Sequence, residues 1–202
     1  MHTNVNPLHR RLARHTLNDG DVIGFSGKGI VSDAINIGTY GLPRSGLSHV
    51  GIVSNYRGKP YLFESTSLNG DKECSILHKP ISGVQAHPLS DILERPGKVW
   101  LYKPAKFPTS LARRRLQLSL LCQLGTPYDY LGAVQSRGLF LKALRFVLRR
   151  QEISYLFCSE LVALVLTEAR IAFFPNASSQ SPNSLVRRLV KSGVYSKRQR
   201  LK

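Results

Sequence analysis

Three side chains in this sequence are of the types that acyl transfer uses: Cys158 in "YLFCSELVAL", His49 in "LSHVGIV" and Glu64 in "YLFEST". A thiol becomes a nucleophile when it ionises, and an imidazole with a carboxylate behind it is the arrangement that ionises the thiol and then moves the proton. Cys158 sits where an apolar run passes into "SELVALVLTEA", and Ser159 and Glu160 read as the opening of a helix. A helix beginning at Ser159 puts the sulfur at its N-terminus, where unpaired backbone N–H groups and the helix dipole favour an anion. A cysteine in an apolar run is more commonly packing, so the feature means chemistry only if partners reach it.

His49 is the candidate base. It lies in a strand-like run, on one face with Gly51 and Val53 by alternation. "LSHVGIVSN" (47–55) and "KPYLFESTS" (59–67) are separated by "YRG", which reads as a hairpin. A two- or four-residue turn around Arg57 sets Glu64 directly or diagonally across from His49 on the same face, whereas a three-residue turn points it away. A glutamate beside a histidine in an apolar strand is costly unless paired. A half-buried structural histidine and a solvated glutamate remain open on spacing alone. The other two thiols read differently: Cys122, four residues after Leu118 on an apolar helix face, reads as core packing, and Cys74 lies in the loop "GDKECSIL". No CxxC pair or zinc-type histidine spacing occurs, so no structural metal and no cofactor are expected.

The elements that must position these groups are short. "VIGF" (22–25) and "KVWLYKP" (98–104) read as further strands, the first after the turn signal "NDGD". Helices are expected at 32–39, at 110–124 ahead of Gly125 and Pro127, at 159–169 as a segment apolar nearly all round, and from 181 in "SPNSLVRRLV". "GLFLKALRFVLRR" (138–150) reads as a basic amphipathic helix. Strands with segregated helices predict an α+β domain with a small antiparallel sheet or partial barrel. Its expected extent is 17–192, between a basic arm at 1–16 and a charged tail at 193–202.

With 202 residues the chain suits one domain that folds without disulfides. Twenty-nine Lys and Arg against twelve Asp and Glu give a formal net charge of +17, and no acidic residue follows Glu168. Such a field draws a protein to polyanions: an acidic wall polymer or membrane surface through helix 138–150 and the tail, or nucleic acid without sequence preference. Oligomeric state has no signature. No segment reaches the roughly 18 apolar residues of a membrane span, and the polar, basic first residues lack the apolar core of a signal peptide. The sequence therefore predicts a cytoplasmic protein, and its small size without an export signal would suit a phage or virus product.

"GDVIGF", "SHVGIV", "FES", "GTPYDY" and "FCSELV", in that order, resemble the NlpC/P60 papain-like cysteine peptidases, and most closely their circularly permuted, YiiX/YebB-like branch, in which the histidine strand precedes the cysteine helix. The resemblance spans about Asn18 to Leu185 and includes "SPNSLV". It implies a papain-like fold with the nucleophile Cys158 at a helix N-terminus, His49 as general base and Glu64 as the residue orienting it. Tyr128 of "GTPYDY" matches a tyrosine lining the site and helping to bind the oxyanion. Ser48 and Ser159, flanking the base and the nucleophile, are further candidates for oxyanion or substrate binding. Asp21, with Gly20 in the "GD" turn, is expected to be structural beside the site. The implied activity is a thiol peptidase or amidase, with peptidoglycan stem peptides as the first substrate. Two alternatives stay open: lipid acyl hydrolysis or transfer, as in lecithin:retinol acyltransferase-like proteins, and a basic nucleic-acid or virion-associated binding protein without turnover.

Overall fold

The computed structural model describes residues 16–26, 46–66, 73–93, 97–127 and 154–202. Helices expected at 32–39 and 138–150, the basic arm through residue 15, and Tyr128 lie outside them. The hairpin forms as β2 (His49–Tyr56) and β3 (Lys59–Thr66), paired from Ile52↔Phe63 to Tyr56↔Lys59. Its two-residue turn has Arg57 at φ 51° and Gly58 at φ 79°, the twist that matches two right-twisted strands. β1 (Val22–Ser26) flanks β2, and β6 (Gly83–Pro88) flanks β3. β7 (Lys98–Tyr102) lies on the other side of β1 and β8 (Gln199–Arg200) on its edge, giving one antiparallel sheet in the order β6-β3-β2-β1-β7-β8. Two short strands, β4 (Glu73–Cys74) and β5 (Lys79–Pro80), pair separately, so Cys74 is a buried strand residue rather than a loop thiol; its sulfur faces the backbone of Ala86.

Four helices accompany the sheet among the described residues: α1 (Leu89–Leu93), α2 (Ser110–Gln123), α3 (Ser154–Glu168) and α4 (Pro182–Lys191). α3 packs across β2 and β3, with α2 and α4 against it. Its Leu161, Val162 and Val165 share a core with Val50, Ile52 and Phe63 of the sheet and Leu185 and Leu189 of α4. Ile23, Val53, Leu62, Val99, Leu101 and Leu201 form a second cluster.

Three expectations are corrected here. α3 starts at Ser154, so Cys158 is its fifth residue rather than the residue preceding it. The polar pair Ser159–Glu160 suggested a helix start, but Ser159 turns its hydroxyl to the Gln180 carbonyl at 2.5 Å, and the helix runs on through both residues. Cys122 is exposed, because α2 buries the face carrying Leu116, Ser119 and Leu120. The supposed tail is built into the sheet: Ser196 donates its N–H to Lys103, β8 pairs with Trp100 and Leu101, and Leu201 is buried. Backbone groups on the open edge of β7 pair regardless of how charged the incoming side chains are. Leu201→Ala should therefore cost about 2 kcal/mol of folding stability, read by chemical denaturation; a solvated tail would show no change.

Candidate functional site

The β2–β3 pairing ends at Ile52↔Phe63; beyond it His49 to Gly51 stay with β1, while Glu64 to Thr66 stay with β6. Carried on, the register sets Glu64 opposite Gly51, one diagonal step from His49. The two side chains meet there, His49 Nε2 to Glu64 Oε2 at 2.6 Å, a ring N–H donating to a carboxylate. Glu64 has no exposed surface and His49 keeps 15%. The Phe25 ring lies against the imidazole with centroids 5.8 Å apart. Gly51 permits this closeness: a Cβ there would stand 2.9 Å from Phe63 O and 2.9 Å from Leu62 Cδ1.

Cys158 is the ring's other partner. Burial opposes charge on His49, but the Cys158 sulfur, through its charge and a hydrogen bond, and then the Glu64 carboxylate outweigh it and push His49 up to about 10. With Nε2 committed to Glu64, Nδ1 is left for the sulfur. A carboxylate, an imidazole and a thiol thus form one chain, and the structure brings together the three residues that sequence placed 15 and 94 positions apart. Cys158 itself has no exposed surface.

The other candidates divide. Ser48 sits beside His49, its N–H and hydroxyl both donating to Phe25 O at 2.9 and 3.3 Å. Ser159 is fully buried, and its hydroxyl braces α3 to Gln180. Asp21 and Gly20 are structural, but not beside the site: their backbones bond Val53, four residues along β2 from His49 and so about 13 Å away. Asp21 accepts from Asn18 N–H at 3.0 Å, and burial pushes its carboxyl up to about 6 against the pull of that bond and of Lys103. The Gly20 carbonyl accepts from the Tyr195 hydroxyl at 2.7 Å.

Two residues take places that their sequence reading did not assign. Asn183, in "SPNSLV", clamps the backbone just before the base: its Oδ1 accepts from Leu47 N–H at 2.9 Å and its Nδ2 donates to Leu47 O at 3.1 Å. The turn that carries it is rigid, since Ser181 and Ser184 cap each other reciprocally and Pro182 opens α4. Gln180, three residues earlier, holds Ser159 beside the nucleophile. Residues 180–183 therefore tie down both the strand bearing His49 and the helix bearing Cys158. Glu160 is the second: it is buried, and burial pushes its carboxyl up to about 7. Its position two residues beyond Cys158 turns it about 200° around the helix, away from the sulfur.

No group of three or more His, Cys, Asp or Glu suited to a metal ion occurs among the described residues.

No protein-family model matches this chain, and no curated protein does. Among solved structures, it is similar to the crystal structure of the metalloprotein YiiX from Escherichia coli O157:H7, at 22% identity and a TM-score of 0.51, over 77% of this chain and 67% of that one. The likeness defines the class: a YiiX-like mixed α/β fold with an antiparallel sheet and helices.

Two outcomes are expected. His49 has a folded-state pKa above its unfolded value of 6.5, so its stabilising contribution is complete below about pH 6.5 and disappears as pH rises through about 10. The stability difference between the parent and His49→Gln, followed by denaturant unfolding, should shrink across that window. Asn183→Ala leaves both Leu47 backbone groups without their partner and should cost about 1–3 kcal/mol in the same assay.

Proposed function

We propose that this protein is a cysteine hydrolase whose site is Cys158, His49 and Glu64. The observation that carries the reading is the imidazole held between a fully buried carboxylate at 2.6 Å and the only thiol that faces it among the described residues. A positively charged ring against a sulfur is the pairing in which a thiol works as a thiolate nucleophile.

The sulfur attacks an acyl carbonyl carbon and the carbonyl π electrons move to oxygen. The tetrahedral intermediate collapses as His49 gives its proton to the departing amine, leaving a thioester on Cys158. The neutral ring then takes a proton from water, hydroxide adds to the thioester, and the acid leaves as the sulfur recovers its electron pair. Glu64 keeps the ring in one orientation and stabilises its charged form. The sulfur is buried and the ring edge is the exposed part of the trio, so side chains over Cys158 must give way as substrate enters.

The resemblance of the sequence motifs to the permuted NlpC/P60 branch supports an amide in a peptidoglycan stem peptide as the first substrate, with Tyr128 contributing to the oxyanion pocket. Site-resolved alkylation with iodoacetamide tests the chemistry without a known substrate. At pH 6, where an ordinary thiol is almost wholly protonated, Cys158 should react, and His49→Ala should slow it by about tenfold or more. Exposed Cys122 serves as the reference. A Cys158 that is inert from pH 6 to 8, or indifferent to His49→Ala, ends the hydrolase reading. Where stem-peptide cleavage is detected, His49→Ala should lower its rate by about 10²–10⁴.

A further inference from the structure

Three of the six exposed large apolar side chains among the described residues lie on one helix. Leu111, Leu118 and Leu121 of α2 are 56%, 54% and 38% exposed. Phe107, 61% exposed, precedes the helix under the Arg113 guanidinium, 5.0 Å from its ring centroid. Phe173, 71% exposed, follows Ile171, which with Pro108 flanks Gly20, 3.7 and 3.5 Å from the place its Cβ would take. Leu77, 37% exposed, stands at the far end, its Cδ1 3.2 Å from the corresponding point on Gly125.

Helical geometry makes this a face rather than a scatter. At about 100° per residue, Leu111, Leu118, Leu121 and Cys122 fall in one sector together with Arg114 and Arg115. The opposite side carries the buried Leu116, Ser119 and Leu120. The helix is apolar towards the core and apolar again towards water, which folding does not require and solubility disfavours. The ends add more positive charge, with Lys106 beside Phe107 and Arg170 ahead of Phe173. The neighbouring acid, Glu168, is engaged by the Ser119 hydroxyl.

We propose that this outer face of α2 rests on an anionic membrane surface. The chemistry excludes simpler occupants. Nucleic acid would meet the arginines and leave the leucines and phenylalanines in water. A second copy placed face to face would bring the Arg114 and Arg115 of both copies, four guanidinium groups, into one interface, which like charge disfavours. A layer of acidic headgroups over acyl chains satisfies both sets at once: Leu and Phe enter the headgroup–acyl boundary while the guanidinium groups reach phosphate. The helix lies in the surface rather than across it, and no helix among the described residues is long and apolar enough to span a bilayer. The formal charge of +17 adds attraction at longer range. This proposal does not depend on Cys158 turning over a substrate.

Flotation of the full chain with vesicles tests it. Binding is expected to phosphatidylcholine mixed with phosphatidylglycerol and to be about tenfold or more weaker for phosphatidylcholine alone. The surface double substitution Leu111→Ser, Leu118→Ser should abolish flotation with far-ultraviolet circular dichroism unchanged. Arg114→Gln and Arg115→Gln should each weaken it about fivefold. No flotation with acidic vesicles overturns the proposal. Flotation that ignores the leucine substitutions also overturns it, because the other cations would then suffice. So does self-association in light scattering that those substitutions remove, since the face would then be a contact between copies.

Discussion

A carboxylate with no exposed surface sits at the centre of this molecule, and much of the arrangement around it follows from keeping that charge paired. Removing Glu64 from water is unfavourable by several kcal/mol unless a cation and hydrogen-bond donors compensate. His49 supplies both at 2.6 Å. A neutral ring can still donate one N–H to the carboxylate, but the protonated ring adds charge pairing, and the Cys158 sulfur favours that form. The imidazole thus answers to both neighbours, so the loss of either is felt at the ring.

Covalent connectivity does nothing to bring these groups together. His49 and Cys158 belong to a strand and a helix that share only a core of aliphatic contacts, and such contacts tolerate small sliding displacements more readily than directional bonds do. The directional restraint comes from residues 180–183. The Gln180 carbonyl takes the hydroxyl of Ser159, and the Asn183 carboxamide takes both backbone groups of Leu47. Because reciprocal serine caps stiffen that turn, it fixes the distance between the elements on which the sulfur and the imidazole ride. The same turn answers why the chain returns to this end of the sheet after α3.

The two faces of α2 show a different balance. Its inner leucines complete the packing against α3, whereas its outer leucines and the two exposed phenylalanines contribute nothing to the core. That apolar, cation-bearing outer face is left over by the described core, and it lies on an element separate from the thiol and imidazole.

The hairpin and the turn lengths that would set Glu64 on the face of His49 were legible in the amino-acid order, because strand alternation is a local property, while the two-residue turn and its register came from the structure. The span of α2 was legible from Ser110 to the stop ahead of Gly125. Where local patterns were ambiguous, packing decided. Leu118 and Cys122 share an apolar stripe with the same periodicity as Leu116 and Leu120, and only the position of α3 selects which stripe is buried. Ser159 and Glu160 have the composition of a helix start, yet the Gln180 carbonyl and the surrounding core absorb them mid-helix. The last residues look solvated by composition, but an unpaired sheet edge recruits backbone and is indifferent to charge. The sequence by itself determined which side chains were chemically capable and which strand face they occupied. Only the tertiary structure decided that the sulfur meets the imidazole, since that contact depends on long-range hydrogen bonds with no periodicity to reveal them.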